Sequence, residues 1–407
     1  MASARVLSGM RPTGALHIGH FHGALKNWVR LQDEAECFYF VADWHALTTH
    51  YETPELIGDS VWEMLVDWLA AGLDPNKSTI FIQSRVPEHA ELFLLLAMFA
   101  PLSWLERVPT YRDQIEKLKD RDLSTYGFLG YPLMQAADIL IYRANLVPVG
   151  EDQVPHIELT REFARRFNHL FGREPGFAEK VAVSLGKLSG KAGKQYEELR
   201  RRYQEQGDAE AVAQAQAILA AAGSLSAADR ERLAGNLTGA RRTILVEPAA
   251  RLTETPKLPG LDGQKMSKSY GNVVRMREDP KLLTDKLRRM PTDPARVRRS
   301  DPGNPERCPV WELHKVDPDD ATRDWVVKGC TKAGIGCLEC KQPVIDVMLA
   351  EQAIWRERAQ PYLDRPQMLR EIVDAGCARA RAVAQETMGD VREAMGLGDR
   401  RSVIGDR

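Results

Sequence analysis

Short apolar runs alternate with amphipathic helical patterns through the first part of the chain. The predicted strands are residues 5–8, 37–41 and 79–82, and the predicted helices are residues 17–31 and 62–71. Strands that alternate with helices form parallel sheets, because each crossover helix returns the chain to the same edge. We therefore expect a doubly wound α/β domain.

A different pattern begins near residue 179, where Ala, Gln, Arg and Glu dominate. Asp208 is positioned to cap a helix that stops near Gly223, and Ser226 to Asp229 resembles a capping box. We interpret this region as a helical insertion. An apolar run at 244–246 predicts a returning strand, and helical periodicity dominates from Asp279 onward. The predicted divisions are residues 1–178 and 243–278 for the α/β domain, 179–242 for the insertion and 279–407 for an α-helical C-terminal domain.

Composition and charge exclude some classes of protein but do not identify the function. Hydrophobic residues make up 43% of the 407 positions, charged residues 28%, and the formal net charge is -1, so no global basic field indicates a nucleic-acid partner. No secretory signal and no apolar stretch of membrane-spanning length is visible, so we expect a cytoplasmic protein without a membrane partner. The Gly186 to Lys194 stretch lacks the spacing of a phosphate-binding P-loop and is interpreted as a solvated basic turn.

The first candidate phosphate site follows the first predicted strand. Residues 8–14 read Ser-Gly-Met-Arg-Pro-Thr-Gly, and His17-Ile18-Gly19-His20 opens the following helix. A helix N-terminus after a parallel strand offers free N–H groups to a phosphate, and Gly19 permits close approach of a nucleotide. His17 and His20 are three residues apart and share one face of the first turn, where both can donate hydrogen bonds. Two ordinary surface histidines are the alternative.

The second candidate lies downstream, where Lys265-Met266-Ser267-Lys268-Ser269 follows a glycine-rich segment. Lys265 and Lys268 can meet a triphosphate and stabilise charge that develops on a bridging oxygen. A solvated lysine-rich loop is the alternative. Together, the two motifs resemble the paired signature of class I aminoacyl-tRNA synthetases. The resemblance implies a Rossmann-like catalytic domain, attack of an amino-acid carboxylate on the α-phosphate of ATP, and Mg²⁺ bound with the ATP.

The segment from Gly130 to Leu140, and residues 147–161, resemble the tryptophanyl-tRNA synthetases. In that family the aspartate that matches Asp138 accepts the indole N–H, which suits a side chain with one donor and no acceptor. A helix N-terminal aspartate is the alternative interpretation of Asp138. Gln135 departs from the family, because many members carry methionine there. An acceptor aspartate also suits a tyrosine hydroxyl, so a tyrosyl-tRNA synthetase remains an alternative.

The resemblance also assigns further residues. Tyr131 and Gln153 match positions that hold the substrate ammonium group, and Leu7, Gly9 and Gln135 complete the predicted tryptophan pocket. The predicted ATP-binding residues are Arg11, Pro12, Thr13, Gly19, His20, Gly150, Glu151, Asp152, Leu252, Lys265, Met266, Ser267, Lys268 and Ser269. The predicted catalytic residues are His17, His20, Lys265 and Lys268.

Four of the six cysteines predict a metal site: Cys308, Cys330, Cys337 and Cys340. Four thiolates suit either tetrahedral zinc or an iron–sulfur cluster. Their spacing resembles that of a subset of bacterial tryptophanyl-tRNA synthetases that bind a [4Fe–4S] cluster, and zinc is the alternative. Cys37 and Cys377 are expected in the core.

Nearby, Arg296, Arg298 and Arg299 either contact tRNA phosphates or form a solvated basic loop.

The sequence therefore predicts a tryptophan–tRNA ligase that uses ATP, L-tryptophan and tRNA(Trp), and the resemblance implies a homodimer. A regulatory paralogue that binds tryptophan or tRNA without charging it is a second alternative. Intact histidine and lysine motifs argue against it, because a pure sensor does not need all of them. An adenylyltransferase that acts on a metabolite is a third.

Overall fold

A five-stranded, fully parallel sheet forms the centre of the molecule. The computed structural model describes residues 4–108, 125–172, 176–206, 208–238, 243–252, 258–264, 266, 271–316 and 319–397. The strands are β1 (Arg5–Met10), β2 (Glu36–Val41), β3 (Ser78–Ile82), β4 (Leu146–Val149) and β5 (Ala249–Leu252). Their spatial order is β3-β2-β1-β4-β5, so the direction of winding reverses between β1 and β4. A parallel sheet of this kind opens a crevice at that reversal, beyond the carboxyl ends of the two strands.

The three strands predicted in the N-terminal region are confirmed, since β1, β2 and β3 contain all three predicted runs. Alternation of strands with helices was the signal, and the register of β1 on β2 runs from Arg5–Glu36 to Met10–Val41. The predicted doubly wound fold is therefore observed.

Helices cover the sheet and extend beyond it. In chain order they are α1 (Ile18–His20, Phe21–Leu25 and Lys26–Leu31, joined end to end), α2 (Asp43–His50), α3 (Glu55–Ala71), α4 (Glu88–Ala97), α5 (Leu102–Glu106), α6 (Tyr126–Leu129), α7 (Tyr131–Ile141), α8 (Val154–Phe171), α9 (Phe177–Gly186), α10 (Gly190–Gln206), α11 (Ala209–Ala221), α12 (Ala227–Thr238), α13 (Pro280–Arg289), α14 (Pro309–His314), α15 (Asp320–Thr331), α16 (Cys337–Asp364) and α17 (Pro366–Ala394). Short 3₁₀ turns lie at Gln83–Arg85, Glu151–Gln153 and Pro305–Arg307. No helix within these described stretches is long and apolar enough to cross a membrane.

Helix α1 is irregular in the middle. Its Phe21–Leu25 segment is a π-helix between two α-helical parts, which the regular periodicity of the sequence did not predict. Leu25, Trp28 and Leu31 are nonetheless buried, so the helix presents its expected apolar face to the core. π-Helical turns are frequent at functional sites, and this one follows directly after His20.

The insertion has a small core of its own. Helices α9 to α12 bury a cluster that is separate from the main core, centred on Tyr196 and Leu233. Both predicted caps are confirmed: the Asp208 carboxylate accepts from Glu210 N and Ala211 N, and Ser226 and Asp229 exchange side-chain-to-backbone hydrogen bonds. Helix α9 begins two residues before the predicted boundary at 179.

The predicted strand at 244–246 is wrong. Ile244 and Leu245 are buried, but the Asn168 side chain accepts from both backbone N–H groups and donates to the Leu245 carbonyl. A side-chain amide therefore takes the place of a neighbouring strand. The chain joins the sheet only at β5, whose Ala249 pairs with Leu146.

The C-terminal helix α17 covers the β3 edge of the sheet. A Cβ atom added at Gly376 would lie 1.8 Å from the Ile80 carbonyl oxygen, so the helix backbone packs directly on the strand. Arg381 and Gln385 donate to Glu88 on α4, and Arg392 pairs with Glu91. Covering an edge strand in this way removes a template for aggregation.

Candidate active site

A cavity of about 1340 Å³ lies at the crevice between β1 and β4. The predicted site residues on its wall are Leu7, Gly9, Arg11, His17, Gly19, His20, Tyr131, Gln135, Asp138, Gly150, Glu151, Asp152, Gln153, Leu252 and Met266. These residues come from strands, helices and loops that are distant in sequence. The fold therefore brings most of the predicted residues together at the place where a doubly wound sheet holds its ligand.

The two motif histidines face each other across the first turn of α1. Their ring centroids are 3.7 Å apart, which confirms that they share one face. The His17 backbone N–H donates to His20 Nδ1 at 3.2 Å. A neutral His20 then carries its proton on Nε2, the nitrogen that can donate to a phosphate oxygen.

Gly19 is required by close packing beside these rings. A Cβ atom there would lie 2.9 Å from two atoms of the His17 ring and 3.7 Å from Met266 Sδ. The space above the helix N-terminus is thus occupied by the imidazole and the methionine of the second motif.

A short antiparallel bridge joins the histidine motif to the segment that follows the lysine motif. Ile18 N donates to Val274 O, Met276 N donates to Leu16 O, and His17 pairs with Arg275. The segment that follows the lysine motif is therefore fixed beside the N-terminus of α1. Met266 lines the cavity, whereas Lys265, Ser267, Lys268 and Ser269 lie outside the described residues.

Some of the predicted loop and turn residues line the cavity, and others do not. Gly150 to Gln153 form the turn between β4 and α8, and Leu252 ends β5; all five line the cavity. Pro12 and Thr13 lie in the loop between β1 and α1 but are not among the residues that line the cavity. Pro12 is buried.

Asp138 lies at the buried end of the cavity and is 1% exposed. Its Oδ1 accepts from Gln83 Nε2 at 2.8 Å and from His89 Nδ1 at 2.6 Å. Its Oδ2 accepts from His45 Nε2 at 2.8 Å and from Gln83 Nε2 at 2.9 Å. Three donor atoms therefore approach this carboxylate, with Gln83 Nε2 shared between its two oxygens, and about four acceptor positions are available on a carboxylate.

The network keeps this carboxylate ionised. Burial alone would raise the pKa of Asp138, but the hydrogen bonds from His45 and His89 hold it at about 2. The alternative interpretation of Asp138 as a helix N-terminal residue is wrong, because α7 begins at Tyr131 and has no acidic residue in its first turn.

Tyr131, His45 and Gln135 form the wall beside this carboxylate. Burial raises the pKa of Tyr131, with Arg11 opposing the rise and Asp138 adding to it, so both charges lie near its hydroxyl. The His45 and Tyr131 rings meet edge to face at 4.4 Å. Gln135 Oε1 is buried and has no hydrogen-bond partner in the part of the chain that the structure describes.

Sequence reasoning missed the donors around Asp138. His45 lies shortly after β2, and Gln83 directly follows β3. The rule that ligands bind at the carboxyl ends of parallel strands would have selected both. His89 lies within α4 and accepts from Tyr142 OH through Nε2 at 2.7 Å, a contact with no signal in the sequence.

The four predicted metal ligands come together in the C-terminal region. Cys308 precedes α14, Cys330 lies on α15, and Cys337 and Cys340 lie in the first turn of α16. Burial, followed by the nearby thiols of the other three, raises the pKa of Cys340 to about 12. Such mutual effects place all four thiols in one neighbourhood, although no group of three or more His, Cys, Asp or Glu side chains among the described residues could hold a metal ion as arranged. Cys37 and Cys377 are buried in the core, as predicted.

Two of the three arginines beside these cysteines form hydrogen bonds or an ion pair with the same loop region. Arg296 donates to the carbonyl oxygens of Arg299 and Ile335, and its Nη1 lies 4.0 Å from Cys330 Sγ. Arg299 pairs with Glu339, between the two cysteines of α16. Arg298 is exposed. Arg296 therefore supports the cysteine loop, whereas Arg298 and Arg299 are both exposed.

Comparison with known proteins identifies the family of this chain. The family model described as class I tRNA synthetases for W and Y matches residues 1–196 and 214–348. The interval between the two matched parts falls within the helical insertion, where α10 ends and α11 begins.

Individual relatives match over nearly the whole chain. The tryptophan–tRNA ligase of Ralstonia nicotianae is 69% identical, covering 98% of this chain and 99% of that protein. The tryptophan–tRNA ligase of Thermotoga maritima is 46% identical, with 97% and 99% covered. The tryptophanyl-tRNA synthetase of Campylobacter jejuni, solved with ADP and tryptophan, superposes with a TM-score of 0.72 at 28% identity, covering 97% of this chain and all of that one.

Proposed function

Because this chain belongs to the class I tRNA synthetases, among the tryptophan–tRNA ligases, we propose that its β1–β4 cavity is the site of tryptophan activation. One observation carries the proposal: the bridge between His17 and Arg275 holds the segment that follows the lysine motif against the histidine motif, beside a single cavity that is also lined by Met266 and Asp138. The tryptophan carboxylate attacks the α-phosphorus of ATP, the bond to the bridging oxygen breaks, and pyrophosphate leaves. The 3′-terminal ribose of tRNA(Trp) then takes the acyl group from the adenylate.

At the phosphate end, the side chains stabilise charge and move no proton. The substrate carboxylate is already ionised near neutral pH, so no general base is needed. His17, His20, Lys265 and Lys268 supply donors and positive charge to the phosphates as negative charge builds on the departing pyrophosphate. The remaining phosphate-loop contacts are assigned to Arg11, Pro12, Thr13, Gly19, Met266, Ser267 and Ser269.

Away from the phosphates, one part of the cavity is assigned to the amino acid and another to the adenosine. Tyr131 and Gln153 face the tryptophan ammonium group. Leu7, Gly9, Gln135 and Asp138 surround the indole. The adenosine contacts are assigned to Gly150, Glu151, Asp152 and Leu252. Class I synthetases use ATP with Mg²⁺, which when bound neutralises charge on the phosphates.

A paired substitution on α1 tests the catalytic assignment. His20→Asn should lower the rate constant of adenylate formation about 100-fold, as expected for loss of one transition-state donor, and leave tryptophan binding unchanged. His22→Asn is the matched control, because His22 lies on the same helix but pairs with Glu351 outside this cavity. Equal effects of the two substitutions would contradict the assignment.

We also propose that Cys308, Cys330, Cys337 and Cys340 hold a [4Fe–4S] cluster. The chemistry of the donor set supports the proposal, since four thiols from three chain segments lie near one another and thiolates are the usual ligands of such clusters. The described side chains would have to move closer together to hold the cluster, because none of their groups can hold a metal ion as arranged. A bound cluster would join α14, α15 and α16 and so stiffen the C-terminal domain.

Metal content and colour test this proposal directly. Protein purified without oxygen should be brown, with broad visible absorption and about four irons per chain. Colourless protein with stoichiometric zinc would establish the alternative.

The wider organisation follows from the same family membership. We propose that residues 1–178 and 243–278 form the catalytic domain, that 179–242 are an accessory insertion, and that 279–407 read the tRNA anticodon. We further propose a homodimer that works in the cytoplasm. Light scattering on the purified protein measures its molecular mass and so tests for the dimer. The mass of a monomer at enzymatic concentration would contradict the proposal.

A further inference from the structure

A buried carboxylate lies against the bridge that joins the histidine motif to the segment after the lysine motif. Asp67, near the end of α3, is 2% exposed. Its Oδ2 accepts from Leu16 N at 3.3 Å, and its Oδ1 accepts from Arg277 Nε at 2.5 Å. Leu16 directly precedes His17, and Arg277 follows Arg275 by two residues. One carboxylate therefore holds both segments of the bridge.

The backbone of the bridge leaves room for this contact. Ile18 N donates to Val274 O, and Met276 N donates to Leu16 O, each at 3.0 Å. Leu16 thus uses its carbonyl oxygen in the bridge and its N–H group with Asp67. A pairing this short fixes two segments only weakly by itself, so side chains that bond to it decide how firmly they are held.

Two other buried side chains contact the later segment. Gln352 of α16 donates to the Arg275 carbonyl oxygen, and Glu278 accepts from the Arg275 N–H. Asp67 differs from them because it bonds to the segment before His17 as well. It does not belong to the residues that line the cavity, so it can act on the reaction only through the two motifs.

The ion pair makes the junction sensitive to charge. Burial raises the pKa of Asp67, and the guanidinium of Arg277 opposes that rise. The Arg277 side chain is itself only 16% exposed. A largely buried charge that loses its partner is strongly disfavoured, so a change at either residue loosens the contact.

We propose that Asp67 is a positioning residue for adenylate formation, because it fixes the segment that follows the lysine motif against the N-terminus of α1. Lys268 lies six residues before Val274, so a shift of this anchor displaces the lysines assigned to the departing pyrophosphate. The inference rests on the proposed function of the cavity.

Steady-state kinetics separate positioning from substrate binding. Asp67→Asn keeps the size of the side chain but loses the charge that pairs with Arg277. It should lower kcat for tryptophan-dependent ATP–pyrophosphate exchange about 10- to 100-fold and leave the KM for tryptophan within about twofold, because alignment changes only at the phosphates. Arg277→Gln should act in the same way and carries the test if Asp67→Asn does not fold. Arg277→Lys keeps a cation and should retain more of kcat than Arg277→Gln.

Asp229→Asn is the matched control. Asp229 is 3% exposed and pairs with Lys187 and Arg232 within the insertion, away from the cavity. Its substitution also removes a buried charge from an ion pair, so it should lower the melting temperature and leave kcat unchanged.

A double variant tests whether the pair acts as one unit. Asp67→Asn combined with Arg277→Gln should have a kcat no lower than that of the poorer single variant, since both remove the same contact. A wild-type kcat in folded Asp67→Asn, multiplied losses in the double variant, or an equal loss of kcat in Asp229→Asn would overturn the inference. Failure of the wild-type enzyme to activate tryptophan at all would instead contradict the proposed function.

Discussion

Asp138 is deeply buried and accepts hydrogen bonds from three side chains, so its removal has two consequences. Asp138→Ala leaves donors of His45, Gln83 and His89 buried without an acceptor, which should lower the free energy of unfolding by about 3 kcal/mol. It should also raise the KM for tryptophan at least about 10-fold, because the indole end of the cavity loses its shape. Thermal unfolding and exchange kinetics measure the two effects. If the variant folds and has the wild-type KM for tryptophan, Asp138 is not part of the tryptophan site.

His156 gives a pH dependence with a definite sign. Burial, with repulsion from His45 second, lowers its pKa to about 4. The unfolded chain, with a pKa near 6.5, takes up the proton first as the pH falls. Stability is therefore complete above pH 6.5 and is lost as the pH falls from there toward 4.

Denaturant unfolding of wild type and His156→Gln tests this directly. Between pH 7 and pH 5 the wild type should lose about 2 kcal/mol more than the variant. The same pH dependence in both proteins would show that His156 titrates normally in the folded state.

The limits of sequence reasoning at this scale are visible in two residues. His17 and His20 could be placed on one face because helical spacing is local, and their rings do meet. The state of Asp138 could not be predicted, because its donors come from α2, the Gln83–Arg85 turn and α4. Only the folded sheet brings these three segments to one carboxylate.

Among the elements, α17 makes the most restrictive contact. A Cβ at Gly376 would collide with the Ile80 carbonyl, so Gly376→Ala must push the helix off β3 and should cost about 1–3 kcal/mol of stability. Gly389→Ala, on the same helix with open space around it, should be neutral or slightly stabilising because alanine favours helix. Thermal melts of the two variants check the contrast, and equal melting temperatures would mean that α17 is not seated on the strand.

Local patterns predicted elements well where burial and backbone pairing coincide. Strands β1 to β3 are apolar and pair with neighbours along their length. Ile244 and Leu245 are equally apolar but are held by the Asn168 side chain, which no periodicity reveals. The π-helical part of α1 was missed for a related reason, because it changes the backbone hydrogen bonds without changing which residues are buried.

At the scale of the molecule, the insertion is an addition to the catalytic domain. Its core is separate from the main one, and Asn168 on α8 contacts Ile244 and Leu245, so the chain leaves and returns at neighbouring points. Replacing residues 179–242 with a short Gly/Ser linker should keep tryptophan activation within about twofold of wild type. A folded deletion variant that has lost exchange activity would show that the insertion belongs to the site.

The central claim is that one cavity activates tryptophan and rejects tyrosine. The direct measurement is amino-acid-dependent ATP–pyrophosphate exchange by the purified protein, with tryptophan and tyrosine in parallel. A buried end fitted to a single N–H donor predicts exchange with tryptophan alone. Exchange with tyrosine, or with neither amino acid in a folded and metal-replete sample, would contradict the account.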